Sequence, residues 1–355
     1  MKKIVIVVGS LGRGGAERIT IYLAQYFKEQ GVECEIVTWS KQDKEYNLPS
    51  GIKRHVIYEG QEGSISSIRK MRECYKQIAP DMILIMGTPL CTRVVLALKG
   101  LNIPFIVSER NDPTHYAGNR LNLFLARYMM KKARGFVFQT NAVKKYYEKR
   151  LGIRGTVIPN PFFLENFPMP YEGKRNFEIV TVGRLVGQKN QKILIEAFAQ
   201  LHKRYPQYIL SIYGEGPLEK ELKKAAEIYG VASVVLLHGN VEKVSEHIKN
   251  AEIFVLSSDF EGMPNALIEA MALGLPCIST DCPCGGPAEL IVNGQNGILV
   301  PVRDVSALAE AMITLIENPA YAKKIGGNAV KVRQTLNSDY IGKKWLEYFE
   351  TVLGW

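Results

Sequence analysis

A chain of 355 residues with 46% hydrophobic and 23% charged residues has the make-up of an ordinary globular protein and the length for two domains with separate cores. No apolar run approaches the roughly 18 residues of a spanning helix. The basic Met1-Lys2-Lys3 start leads into Ile4 to Val8, which is too short for a leader and ends in glycine. Six cysteines without paired C-x-x-C units make no disulfide framework, so a cytoplasmic location is expected, peripheral at most on the inner face of the membrane. The net charge of +10 is unevenly divided: residues 1–170 hold 26 Lys and Arg against 14 Asp and Glu, a net of +12, and the remainder nets −2. A one-sided field of this kind suits an anionic partner, though it also serves as a plain solubilising surface.

In chain order, β-branched runs predict strands at Lys3–Val8, Glu33–Trp39, Lys53–Val56, Met82–Met86, Phe105–Val107 and Gly135–Phe138. Helical spacing predicts helices between them at Ala16–Gln30, Ser64–Ile78, Leu90–Lys99, Arg120–Lys132 and Asn141–Arg150. Such alternation is the pattern of a doubly wound parallel α/β sheet. Prolines 159, 161, 168 and 170 then interrupt it, and a second alternation starts at Phe177–Val182. Its further strands are expected at Tyr208–Tyr213, Val234–His238, Ile253–Leu256, Cys277–Ser279 and Ile298–Val300. Its helices are expected near Lys192–His202, Leu218–Tyr229, Val244–Asn250, Asn265–Leu273 and Val305–Glu317. The expected domains are 1–170 and 171–338, with an aromatic-rich helix in 339–355 packing back onto the first.

Three turns stand out because each follows a strand and opens a helix. Gly9 to Arg18 contains Gly12, Arg13, Gly14 and Gly15, whose N–H groups could approach an anion or simply form a tight turn. The spacing is not the dinucleotide fingerprint, and no acid follows the second strand at Thr38-Trp39-Ser40-Lys41, which disfavours a dehydrogenase. Gly183-Arg184-Leu185 with Gly187-Gln188-Lys189-Asn190 puts two cations at a helix mouth, suited to a diphosphate. Ser257 to Ala270 turns at Gly262 and opens a helix at Pro264; Glu261 lies in the loop and Glu269 two turns later, too far apart for an acid–base dyad. These carboxylates suit the hydroxyls of two parts of one extended ligand, with the N–H groups of Gly262 and Met263 facing its anionic centre.

Together with Gly285-Gly286-Pro287-Ala288-Glu289 and Gly14-Gly15-Ala16-Glu17-Arg18, these elements resemble, in order and over nearly the whole chain, the family-4 retaining glycosyltransferases of GT-B architecture. The resemblance implies two Rossmann-like domains facing across a cleft, the first for the acceptor and the second for a nucleotide sugar, usually UDP-linked, with no cofactor and no metal. Arg184 and Lys189 are implied to bind the donor diphosphate, Glu261 to hold sugar hydroxyls near the reacting carbon and Glu269 the ribose; Gly14, Gly15, Gly183, Gly262, Met263 and Pro264 complete the implied donor site. The acceptor is implied to be a lipid-linked or surface-polysaccharide glycan, with transfer to a soluble acceptor and a non-catalytic sugar-nucleotide sensor as alternatives. Where many relatives carry a histidine, this sequence has Arg110; Ser108, Glu109, Arg110 and His115 are the acceptor-side candidates.

Arg69, Arg72 and Lys76 share a face of the Ser64–Ile78 helix, with Lys70 beside them. They form either a solvated face or a contact for the phosphates of an anionic membrane. Cys282-Pro283-Cys284 is too tightly spaced for a usual zinc pair. A nucleic-acid partner is not expected, since basic and aromatic residues do not interleave on the strands.

Overall fold

The computed structural model describes residues 2–12, 14–60, 63–115, 119–165 and 167–354. The chain divides into two compact units, 1–161 with 338–355, and 162–337, so the first ends at Pro161 rather than at 170.

The first unit runs β1 (Lys3–Val8), α1 (Gly15–Glu29), β2 (Glu33–Thr38), β3 (Lys53–Val56), α2 (Ser64–Ile78), β4 (Met82–Met86), α3 (Cys91–Leu98), β5 (Phe105–Ser108), α4 (Arg120–Met130), β6 (Gly135–Phe138), α5 (Asn141–Leu151) and β7 (Thr156–Val157). All its strand pairs are parallel, in the order β3-β2-β1-β4-β5-β6-β7. Helices on both faces explain why β4 is buried at every residue and reads as the unbroken apolar run MILIM.

The second unit runs β8 (Asn176–Val182), α6 (Gln191–His202), β9 (Ile209–Tyr213), α7 (Glu219–Ile228), β10 (Val235–Gly239), α8 (Val244–Ile248), β11 (Ala251–Leu256), α9 (Asn265–Ala272), β12 (Cys277–Thr280), α10 (Gly286–Leu290), β13 (Ile298–Val300), α11 (Val305–Glu317), α12 (Pro319–Ala329) and α13 (Val332–Thr335). Its sheet is again all parallel, in the order β10-β9-β8-β11-β12-β13. Leu194, Phe198 and Leu308 cover one face of this sheet, and Leu267, Met271 and Phe254 belong to the core of the other.

The last helix, α14 (Ser338–Leu353), belongs to the first unit. Its Ile341, Trp345 and Phe349 are buried in the same cluster as Ile4, Leu23 and Phe27, with the Phe27 and Phe349 rings 5.4 Å apart. Tyr348 Oη accepts from the Phe136 N–H at 2.8 Å and donates to the Phe136 carbonyl at 3.1 Å. Gly135 is required beside it, because a Cβ there would stand 2.4 Å from that hydroxyl.

Candidate functional site

In each sheet the strand order reverses direction once, between β1 and β4 in the first unit and between β8 and β11 in the second. The carboxyl ends of the strands flanking such a reversal are where open α/β sheets bind ligands. In the second unit the two flanking loops are 183–190 and 257–264, the segments the sequence singled out.

These loops are bonded to each other at several points. The Asp259 N–H donates to the Gln188 carbonyl at 2.9 Å, Gln188 Nε2 to the Phe260 carbonyl at 2.9 Å, Asn190 Nδ2 to Asp259 Oδ1 at 2.8 Å, and Ser257 Oγ to the Lys189 carbonyl at 3.0 Å. Asn190 occupies the left-handed region (φ 45°), which lets a single turn over Gly187–Lys189 end and α6 begin. Glycines bring the backbones into contact. A Cβ on Gly214 would meet the Gly183 carbonyl oxygen at 2.0 Å, one on Gly216 the Leu185 oxygen at 2.3 Å, and one on Gly286 the Gly262 oxygen at 1.6 Å.

Within this frame Glu261 is only 5% exposed. Its Oε1 accepts from Lys189 Nζ at 2.5 Å and from Ser258 Oγ at 2.6 Å. Lys189 is therefore held against Glu261, while Arg184, on the same loop, is exposed and in no ion pair among the described residues. Gly183 packs on the Lys189 stem, where a Cβ would touch it at 3.4 Å. Gly262, Met263 and Pro264 are buried ahead of α9; Pro264 is its N-cap and lacks an N–H, and Glu269 lies half-buried within the helix. The loop thus offers one free cation, one paired cation, a buried carboxylate and a helix N-terminus, an arrangement that can hold an anion beside a polyhydroxyl group. Ser258, Asn190 and Asp259, which lie in the two singled-out segments but had been given no role of their own, complete it; Gly214-Glu215-Gly216 directly after a strand was the legible sign of the close approach.

The carboxyl end of β5 carries the acceptor-side candidates Ser108, Glu109 and Arg110, with His115 further along. Glu109 faces inward: its Oε2 accepts from Thr88 Oγ1 at 2.5 Å and Tyr147 Oη at 2.7 Å, and its Oε1 from the N–H groups of Arg110 (2.9 Å) and Asn111 (3.2 Å). These four donors tie the Glu109 carboxylate to Thr88, to Tyr147 and to the start of its own loop. Burial, with the Glu109 charge next in size, raises the Tyr147 phenol well above its usual range and keeps it neutral. Ser108 Oγ is buried and without a hydrogen-bond partner, as are Nε and Nη2 of Arg110. Arg110 Nη1 donates to Asn160 Oδ1 at 3.1 Å, and its guanidinium stacks 5.3 Å from the Trp345 ring. Burial lowers the Arg110 pKa to about 9, which leaves it cationic at neutral pH. His115 Nδ1 lies 2.9 Å from Asp112 Oδ2 on an exposed stretch.

Gly14 caps α1 and Gly15 opens it, but a Cβ on Gly14 would meet the Glu17 carboxylate at 2.3 Å, so that acid already lies at the helix N-terminus. Arg13 lies outside the described residues. The basic face expected on α2 is partly consumed. Arg72 Nη1 donates to the Ala97 carbonyl at 3.1 Å and to the Lys99 carbonyl, Lys70 pairs with Glu59 at 3.3 Å, and Lys76 pairs with Glu73 at 2.8 Å; Arg69 is exposed. Cys282 and Cys284 are buried free thiols, the former pushed up to about 12 chiefly by burial. Among the described residues no three His, Cys, Asp or Glu side chains gather as metal ligands, and no helix is long and apolar enough to cross a membrane.

Two all-parallel α/β units, the second with a cation- and carboxylate-bearing pair of loops at its sheet's reversal, make up a GT-B fold. The model for "Glycosyltransferase Family 4" matches residues 13–165 and that for "Glycosyl transferases group 1" residues 165–332; the chain belongs to the family-4 glycosyltransferases. It is 26% identical over 362 residues to an uncharacterised glycosyltransferase of Haemophilus influenzae, covering 99% of this chain and 100% of that one. It is 25% identical over 362 residues, 99% of each chain, to the Campylobacter jejuni GalNAc-alpha-(1->4)-GalNAc-alpha-(1->3)-diNAcBac-PP-undecaprenol alpha-1,4-N-acetyl-D-galactosaminyltransferase. Among solved structures, Anabaena HepE in complex with UDP-glucose superposes with a TM-score of 0.84 at 20% identity, covering 99% of this chain and 100% of that one.

Proposed function

We propose that the enzyme transfers a hexose or N-acetylhexosamine from a UDP-sugar, with retention at the anomeric carbon and without a metal, to a lipid-linked or surface-polysaccharide glycan on an anionic membrane face. The observation that carries this reading is the unpaired Arg184 on the loop whose Lys189 is held 2.5 Å from the buried Glu261. In it, Arg184 and Lys189 neutralise the diphosphate as it departs, supplying what a divalent cation would supply elsewhere. Glu261 holds hydroxyls of the transferred sugar, Glu269 the ribose, and the N–H groups of Gly262 and Met263 the donor's anionic centre. Arg110, Ser108 and His115 serve the acceptor.

The bond from the anomeric carbon to the diphosphate oxygen breaks while the acceptor oxygen bonds to the same face, and the acceptor proton passes to the departing phosphate oxygen. Charges and atoms balance without an enzyme nucleophile. The names of the Campylobacter relative and of the Salmonella typhimurium colanic acid glycosyltransferase WcaL support the acceptor class, and UDP-glucose bound to HepE supports the donor. The test is transfer from UDP-linked hexoses and N-acetylhexosamines in excess EDTA, with the product's anomeric configuration read by NMR. An α-linked product from an α-linked donor is expected; a β-linked product, or activity that EDTA abolishes and Mg²⁺ or Mn²⁺ restores, would refute it.

A further inference from the structure

The exposed face of α4 is built the wrong way round for a solvated helix. Of its residues only Ala126 and Met130 are buried, while Leu121 (61%), Phe124 (67%), Leu125 (36%) and Tyr128 (60%) are exposed. Their spacing of i, i+3, i+4 and i+7 puts all four on one stripe. No other helix or strand carries more than one exposed large apolar side chain among the described residues. The charge around the stripe is of one sign. From 113 to 147 the chain has seven Lys and Arg and no Asp or Glu. Arg120, Lys131, Lys132 and Arg134 are exposed, and none of them is in an ion pair among the described residues. Arg120, Arg127 and Lys131 line the same shallow groove as Phe124 and Tyr128. Arg127 Nη2 also donates to the Pro113 carbonyl at 2.6 Å, which ties the helix to the loop leaving β5.

We propose that this face of α4 is the surface by which the first unit docks on an anionic lipid bilayer, its apolar stripe among the acyl chains and its cations among the lipid phosphates. The proposal deepens the reading of a membrane-borne acceptor and rests on it. An outward apolar stripe rimmed by unpaired cations is the pattern of a helix lying in a bilayer interface, with Tyr128 suited to the headgroup level. A second copy of the same face would set like charges against each other, and nucleic acid would leave the apolar stripe in water. β5 ends at Ser108 and α4 begins at Arg120, so α4 is the next helix in the chain after the strand whose carboxyl end carries the acceptor candidates.

The test is co-sedimentation of the full chain with neutral phosphatidylcholine vesicles and with vesicles containing phosphatidylglycerol. The comparison variants are Phe124→Ser/Tyr128→Ser, Lys131→Gln/Lys132→Gln and, on α2, Arg69→Gln/Lys70→Gln/Lys76→Gln. Binding is expected to anionic vesicles only. It should fall at least tenfold in each α4 variant, since each of the two cations near such a surface contributes about fivefold and binding scales with the apolar area that Phe124 and Tyr128 bury, and stay within twofold in the α2 variant. Transfer to a water-soluble glycan acceptor is measured in parallel and should be unchanged in the α4 variants; its failure in the parent protein would refute the transferase reading without touching the docking result. Equal partition to neutral vesicles, binding lost only in the α2 variant, or a concentration-dependent dimer that Phe124→Ser/Tyr128→Ser disperses would each overturn the docking proposal.

Discussion

Replacing Gly286 by alanine tests whether the donor site depends on backbone approach. An ideal Cβ at this position stands 1.6 Å from the Gly262 carbonyl oxygen, 2.7 Å from its carbon and 3.3 Å from the Glu261 oxygen. Ordinary non-bonded separations are about 3.5 Å, so one of the two backbones must retreat by about 2 Å. No side chain can absorb this, because both partners are main chain. The loop displaced carries Glu261 and the N–H groups of Gly262 and Met263, and a misplacement of about 1 Å in a catalytic constellation costs on the order of 10²-fold. Gly286→Ala should therefore lower kcat/KM for the donor by about 10²-fold or more, with an overpacking cost of about 1–3 kcal/mol seen as a lower Tm. The assay is steady-state transfer with whichever UDP-linked hexose or N-acetylhexosamine supports turnover, alongside a thermal melt. A variant that turns over within threefold of the parent at an unchanged Tm would refute the close-approach argument.

Most of both units was legible because parallel strands buried on both faces are written as short β-branched runs, and Lys3–Val8 and Met82–Met86 match their expected bounds residue for residue. What escaped was short or weakly patterned: β7 has two residues, and α12 carries Gly326 and Gly327 inside PAYAKKIGGNA. The site's principal residues were legible because each follows a strand within a few positions. The bonds that make them a site were not, since Asn190 to Asp259 and Lys189 to Glu261 join residues 69 and 72 apart in sequence. Helical periodicity says which residues share a face but not which face is covered. That is why the cations of α2 look free in the sequence although Glu59, Glu73 and the end of α3 take three of them.

Two adjacent glycines in α12 should respond with opposite signs. Gly327→Ala, exposed with nothing within 4 Å of the new Cβ, should stabilise by about 0.5–1 kcal/mol through helix propensity, whereas Gly326→Ala places a Cβ 2.3 Å from the Gly274 carbonyl and should lower the Tm; equal shifts in calorimetry would contradict this. Glu45, bonded to Arg54 at 2.6 and 3.0 Å, is pulled down to about 2, chiefly by that hydrogen-bonded pair. Its contribution is present above the unfolded carboxyl value of 4.5 and disappears as pH falls through about 2. Glu45→Gln should cost about 2 kcal/mol at pH 7 and lose less stability than the parent between pH 5 and 2.5, and parallel Tm profiles would refute it. Glu261→Gln and Glu269→Gln should separate kinetically. Glu261 holds both a sugar hydroxyl, in the proposed reading, and the Lys189 ammonium at 2.5 Å. Its neutralisation therefore removes a transition-state contact while releasing Lys189 to the diphosphate, so kcat should fall with donor KM unchanged or lower. Glu269, in the proposed reading, meets the ribose, a part of the donor that does not react, so its loss should raise donor KM with kcat nearly kept. Identical profiles for the two variants would refute the division of labour along the donor.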